Sequence, residues 1–239
     1  MKGQILDWGR TLAGAALITF VLKTMAFATY YIPSESMVPT LEVGDRLIAT
    51  KFDYGYGPDS APIVTLPAFP SKDGRLFGHL PARGDIALFT HPSTGETLIK
   101  RVIGLPGDRI QITSGRLSIN GREMPRRAVK TYAYKQHDGP PVTVTEYEET
   151  LPGGRVHPII VRSDDLPQEN TGVYVVPPEH LFMMGDNRDN SADSRFAELG
   201  FVPVANLIGR SRLILYSLHQ CREQPGLTCA PRRYLTGLD

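Results

Sequence analysis

Beyond residue 32, no stretch of this 239-residue chain sustains an apolar period of 3.6 residues, and that excludes a helical core for most of its length. The apolar residues fall instead in short β-branched runs punctuated by Gly, Pro and Asp, as in a mostly β protein. Strands are expected over Asp45 to Phe52, Asp85 to His91, Thr97 to Ile103, Arg109 to Thr113, Leu117 to Ile119, Val142 to Tyr147, Arg155 to Arg162, Gly172 to Val176, Leu181 to Met184 and Asn206 to Ser217. Asn120-Gly121 forms a two-residue hairpin signal leading into a further strand from Glu123. Gly-Asp recurs at residues 44–45, 84–85, 107–108 and 185–186. The first three pairs directly precede apolar strands, a turn pattern without catalytic content.

The N-terminus differs in kind. From Leu12 to Ile32 the chain is apolar or small apart from Thr19, Lys23, Thr24 and Thr29, long enough to cross a hydrocarbon layer of ~30 Å. Lys23 is discordant, costing ~2.5–3.5 kcal/mol at a span's centre unless it snorkels or the span shifts. Tyr30 and Tyr31 suit an interface, and Lys2 and Arg10 ahead of the run set the N-terminus in the cytoplasm with everything after residue 32 outside. Ala26 and Ala28 also make an AxA that a cleaved signal peptide would carry. Apolar character continuing to Ile32 favours the uncleaved anchor.

The expected organisation is an anchor over 1–32, a β core over 33–121 and 171–220, an inserted β subdomain over 122–170 and a tail over 221–239. The two cysteines, Cys221 and Cys229, lie in that tail, and a disulfide between them is expected in an oxidising compartment. With 26 basic and 25 acidic side chains the net charge is +1. No basic block stands out, so nucleic acid is not an expected partner.

Chemistry is suggested by three stretches. In PSESMVPTLEVGD, residues 33–45, Ser34 and Ser36 flank Glu35; read alone, they are turn-forming serines. A nucleophilic serine needs a base. His79, His91, His137, His157, His180 and His219 supply no recognisable triad context, and GxSxG is absent. In ETLIKRVIGLPGD, Lys100 stands on an apolar strand with Leu98 and Val102 on its side. Arg101 then faces the other way, so one cation is expected toward the core and the other toward solvent. At an edge Lys100 would be a gatekeeper charge; buried, its pKa falls by up to ~3–5 and it can take a proton from Ser36. MMGDNRDNSADSR, residues 183–195, is the densest polar cluster. It fits a calcium loop poorly, with Arg188 at a ligand position, and reads better as a hydrogen-bonded scaffold. No metal and no cofactor is expected.

Taken in order, PSESMVPTL, GDRLIATKF, RGDIALF, KRVIGLPGD and GDNRDNSADSR behind an apolar run resemble the bacterial type I signal peptidases, membrane-bound endopeptidases with a Ser-Lys dyad. The resemblance spans Pro33 to Arg195. It implies a mostly β fold, with an N-terminal transmembrane helix, an antiparallel β catalytic core and an inserted smaller β subdomain. By position it makes Ser36 the nucleophile and Lys100 the general base, with Ser34 and the Ser36 amide as oxyanion donors. Ser191 would orient the lysine, and Asp193 with Arg195 would form a supporting ion pair. Ile32, Pro33, Met37, Leu41, Leu47, Leu88, Leu98 and Ile99 would line shallow substrate pockets, though each is equally readable as core packing. The implied substrates are signal-peptide-bearing preproteins cut after an AxA-like motif, by a monomer set in the lipid bilayer of the inner membrane with its catalytic domain on the outer side. Glu35 stands where many members have Gly. An inward carboxylate would favour charged lysine, so Glu35 is expected to face solvent or the membrane surface. Two other readings stay open: a Ser-Lys self-cleaving regulator, for which no DNA-binding segment precedes Ser36, and an inactive binder of exported peptides.

Overall fold

The computed structural model describes residues 2–21, 25–60, 73–136, 139–164, 166–218 and 229–238. At the N-terminus, α1 runs over Lys2–Val21, with Trp8, Leu12, Leu17, Ile18 and Phe20 exposed. Among the described residues no helix is long and apolar enough to cross a membrane. The expected apolar run over 12–32 is not helical to its end. Its last residues form a strand, β1 (Phe27–Tyr31), paired antiparallel with β2 (Asp45–Thr50) from Phe27↔Thr50 to Tyr31↔Arg46. Aromatic and β-branched FATYY suits a strand, and the exposed edge of β2 satisfies its backbone groups. Tyr30 packs on the core, while Tyr31 lies outward with the Arg46 guanidinium 4.7 Å from its ring centroid. Ala28 is paired with Ala49, and Lys51 N donates to Ala26 O at 2.9 Å, so both alanines of the AxA are hydrogen-bonded into the domain. Lys23 lies outside the described residues.

The remaining strands are β3 (Ile86–Thr90), β4 (Thr97–Gly104), β5 (Arg109–Thr113), β6 (Arg116–Ile119), β7 (Arg122–Glu123), β8 (Arg126–Lys135), β9 (Pro141–Thr150), β10 (Val156–Val161), β11 (Tyr174–Val175), β12 (His180–Met184), β13 (Val202–Pro203), β14 (Leu207–Ser217) and β15 (Tyr234–Gly237). One antiparallel sheet takes the order β1-β2-β14-β3-β4-β12-β13, with β15 also on β14. β2 lines one edge of β14, whose other edge is shared by β3 at Leu207 to Arg210 and β15 at Leu213 to Tyr216. Register shifts along β14 bend the strand and curl the sheet.

Successive side chains of β3 enter opposite cores. Ile86 and Leu88 join Ile32, Met37, Leu41, Leu47 and Ile99, whereas Ala87 and Phe89 join Val102, Leu181, Met183 and Leu199. A strand covered on both faces reads as a continuous apolar run rather than an alternating one, and β4 is of this kind. The expectation that either Lys100 or Arg101 reaches solvent is therefore corrected: they are 4% and 2% exposed.

Two smaller antiparallel sheets complete the fold. β11-β5-β6-β7 closes over a third core of Ile103, Ile110, Ile112, Leu117 and Phe182. β10-β9-β8 forms the other, and its Ile160 bridges in parallel to Asn187. Toward the C-terminus, Arg233 Nη1 donates to Thr40 O at 2.6 Å and Arg233 Nη2 pairs with Asp45 at 2.5 Å. Cys229 is disulfide-bonded; Cys221 lies outside the described residues, as do His137 and His219.

The Pro- and Gly-rich segment after Tyr54 is fastened by Arg75, 1% exposed. Its guanidinium donates to Tyr54 O (2.9 Å), Gly55 O (2.6 Å), Ser60 Oγ (3.0 Å), Ala205 O (3.1 Å) and Leu207 O (2.6 Å). Burial pulls it down to about 10, still a cation at neutral pH. Arg75→Met leaves several buried carbonyls without donors, each loss costing ~1–3 kcal/mol. The urea midpoint should fall by an amount equivalent to at least ~3 kcal/mol; an unchanged midpoint would show the clamp to be dispensable.

Candidate active site

Leaving β1, the chain keeps two sheet-like bonds, Ile32 N to Asp45 O at 3.0 Å and Gly44 N to Ile32 O at 2.9 Å. Between them it makes a compact turn closed by Val38 N to Glu35 O at 3.0 Å and Leu41 N to Met37 O at 2.8 Å. Met37 and Leu41, fully buried, pin the turn to the core. Ser36 is thereby held 7% exposed against the middle of β4, where Lys100 Nζ lies 2.6 Å from Ser36 Oγ. Ser34 Oγ is 3.5 Å from Ser36 Oγ, on the open side of the turn. Burial lowers Lys100 to about 8, against an opposing influence of the Asp193 and Asp186 carboxylates. About one amine in ten is then uncharged at pH 7, against fewer than about one in a thousand for a hydrated lysine.

The polar loop over residues 185–195 surrounds this pair. At Gly185 a Cβ would collide with both Ser36 O and Ser191 Oγ, so only glycine permits the loop to lie against the serine. Asn187 grips the turn twice, its main-chain N donating to Ser36 O at 3.1 Å and its Nδ2 to Glu35 O at 3.2 Å. Asp186 receives Arg101 Nε at 2.7 Å and Nη2 at 2.6 Å, a bidentate pair. Burial alone would raise this carboxyl, but Arg101 holds it below the usual range. Arg101 also donates to Gly84 O at 2.7 Å and to Thr40 Oγ1 at 3.2 Å.

Asp193 and Arg195 pair at 2.9 Å in full burial. Asp193 also accepts from Gly185 N at 3.0 Å, and Arg195 reaches Glu169 at 2.9 Å. Against the effect of burial, Arg195 keeps the Asp193 carboxyl low. Ser191 Oγ is buried and makes no hydrogen bond to Lys100; it acts weakly on Asp193 instead, helping to hold that carboxyl down at looser than hydrogen-bond geometry. Arg188 and Glu149 form a further buried pair that ties the loop to β9.

A cleft of about 360 Å³ opens on the dyad, walled by Leu98, Ala192, Phe196 and Leu199 and by the carboxylates of Glu35, Glu96 and Glu198. A larger cavity of about 490 Å³, lined by Arg83, Met124 and Leu151, contains neither Ser36 nor Lys100, so chemistry rather than size locates the site. Among the residues expected to form pockets, Leu98 lines the cleft and Pro33 is exposed beside the turn. Ile32, Met37, Leu41, Leu47, Leu88 and Ile99 pack together as core. Glu35 is half-buried as a residue, and its Oε2 accepts from Asn190 Nδ2 at 2.8 Å in a solvent-exposed contact. Arg101, Gly185, Asp186 and Asn187 were not singled out by the sequence reasoning. The near-continuous apolar run of β4 signals the burial of Arg101, and Gly185 differs from the other three Gly-Asp glycines in following a strand.

The family model described as signal peptidase, peptidase S26, matches residues 5–216. The signal peptidase I of Rickettsia typhi is 37% identical over 207 residues, covering 84% of this chain and 76% of that protein. That of Rickettsia conorii is 34% identical over 220 residues, covering 88% and 79%. A crystal structure of a signal peptidase I from Enterococcus faecalis V583 aligns at 27% identity and a TM-score of 0.34, over 55% of this chain and 97% of that one. With the family match running from α1 to the end of β14, this chain belongs to the signal peptidases of peptidase family S26 and is a serine endopeptidase.

Proposed function

We propose that this chain removes signal peptides from exported preproteins with Ser36 as nucleophile and neutral Lys100 as general base. The observation that carries the reading is the 2.6 Å contact between Ser36 Oγ and a Lys100 Nζ that is 4% exposed. A lysine drained of water loses the solvation that keeps it charged, and its lone pair then faces the hydroxyl proton. Ser36 Oγ attacks the scissile carbonyl as Lys100 takes its proton, while Ser34 Oγ and the Ser36 amide donate to the oxyanion. Lys100 returns the proton to the leaving amine. Water, deprotonated by the same base, then releases the acyl group and regenerates Ser36.

Ser191, Asp193 and Arg195 serve this chemistry by fixing the wall against which the lysine packs. An extended substrate fits between Pro33 and Leu98, and the Leu98 and Ala192 wall of the cleft suits the small side chains of an AxA-like motif. The apolar N-terminal run keeps the cleft at the outer face of the inner membrane, with the N-terminus in the cytoplasm. Holding enzyme and emerging cleavage site at one surface raises their effective concentration.

Replacing either dyad member, as Ser36→Ala or Lys100→Met, should reduce cleavage of an AxA-containing peptide to background. Ser34→Ala should lower kcat by ~10²–10³-fold with the dyad intact. Full activity in the Ser36→Ala protein would overturn the reading.

The pH dependence follows from the lowered pKa. Since the working form is the neutral amine, kcat/KM should rise with pH and level off above about 8, losing about tenfold per pH unit below that. An acidic limb near 10.4, the value of a hydrated lysine, would exclude Lys100 as the base.

A further inference from the structure

β8 sends one side chain toward the nucleophile's turn from outside the main sheet. Tyr134, 8% exposed, accepts a hydrogen bond from Asn187 Nδ2 at 3.0 Å through its hydroxyl. Asn187 is 3% exposed, and the same Nδ2 donates to Glu35 O while the Asn187 main-chain N donates to Ser36 O. One hydrogen of the side-chain amide is thus used on the turn and the other on Tyr134. The other edge strand of the same small sheet, β10, holds the same stretch of loop, with Ile160 N donating to Asp186 O at 2.9 Å and Arg188 N to Ile160 O at 3.1 Å. The Tyr134 ring packs with Val38, Val144 and Ile160, so its placement does not depend on the hydroxyl.

We propose that Tyr134 is a positioning residue for the reaction at Ser36, acting through Asn187 to fix the two carbonyls that set where the serine points. This rests on the reading of Ser36 as nucleophile. Without the hydroxyl, a buried N–H of Asn187 has lost its acceptor, and the amide relieves this by turning away from Glu35 O. The turn then samples orientations in which Ser36 Oγ is not aimed at Lys100 Nζ, and small losses of alignment are expensive in rate. Burial raises the Tyr134 phenol above its ordinary value, so it stays neutral across the working range. The inserted sheet would then be part of the aiming machinery and not only a covering layer.

The test uses the full chain in detergent and compares Tyr134→Phe, Asn187→Ala, the double variant and Ser36→Ala on one AxA-containing peptide. Tyr134→Phe keeps the packed ring. It should lower kcat by about tenfold with KM within about twofold and leave the acidic limb of the pH profile in place. Because both changes break one path, the double variant should be no slower than Asn187→Ala alone. A Tyr134→Phe kcat within twofold of the parent, or losses that multiply in the double variant, would overturn the inference while Ser36→Ala remains inactive. If Ser36→Ala still cleaves, the nucleophile reading falls, and this inference with it.

Discussion

Two adjacent cations, Lys100 and Arg101, are driven into the interior on a strand whose both faces are covered, and the structure answers each burial differently. A guanidinium cannot give up its proton under physiological conditions, so Arg101 is matched by a buried bidentate carboxylate, Asp186. An ammonium can, and Lys100 is left without a paired carboxylate within hydrogen-bond distance, facing Ser36 instead. Removing one partner of a buried pair leaves an uncompensated charge costing ~3–5 kcal/mol, so the Arg101–Asp186 contact is indispensable to the local architecture. It also fixes where the next residue's side chain must lie, since neighbours on a strand point to opposite faces.

The loop after β12 is the second consequence of that pairing. Asp186 docks it on β4, Gly185 lets it approach the Ser36 turn, and Asp193 with Arg195 closes it on itself. Most of its polar groups are used, Arg188 Nε, Asp189 Oδ1 and Ser191 Oγ being the buried exceptions, which makes the cluster rigid rather than merely soluble. Each of its arginines meets a buried carboxylate, Arg188 with Glu149 and Arg195 with Asp193, and Asp186 meets Arg101, which explains why a segment so rich in Asp, Asn and Arg lies in the interior.

Much of this was legible in the chain. The strands of the main sheet follow their apolar runs closely, because two-sided burial leaves a plain signature in β3 and β4. The pairing of Ser36 with Lys100 is what the family resemblance of their two stretches implies; the strand pattern alone leaves Lys100 readable as an edge charge. What was missed has one physical origin: pairing partners distant in sequence. Phe27 to Tyr31 looks like the end of a membrane span until β2 is known to run beside it. One of Lys100 and Arg101 looks solvent-bound until Asp186, 85 positions beyond Arg101, is seen to meet it. Tyr234 to Gly237 sits in a polar tail with no periodicity, and only the free half of the edge of β14 makes it a strand.

That tail carries a temporal implication. The turn bearing Ser36 and the strand after it are synthesised early, yet β2, already paired with β1, finds its second sheet neighbour in β14, and the Thr40 carbonyl accepts from Arg233. Contacts this far apart along the chain form late, so the first-made and last-made segments close on each other across the finished sheet. A copy that has not yet made β14 and Arg233 therefore carries its serine in a turn braced on one side of β2 and not yet on the other.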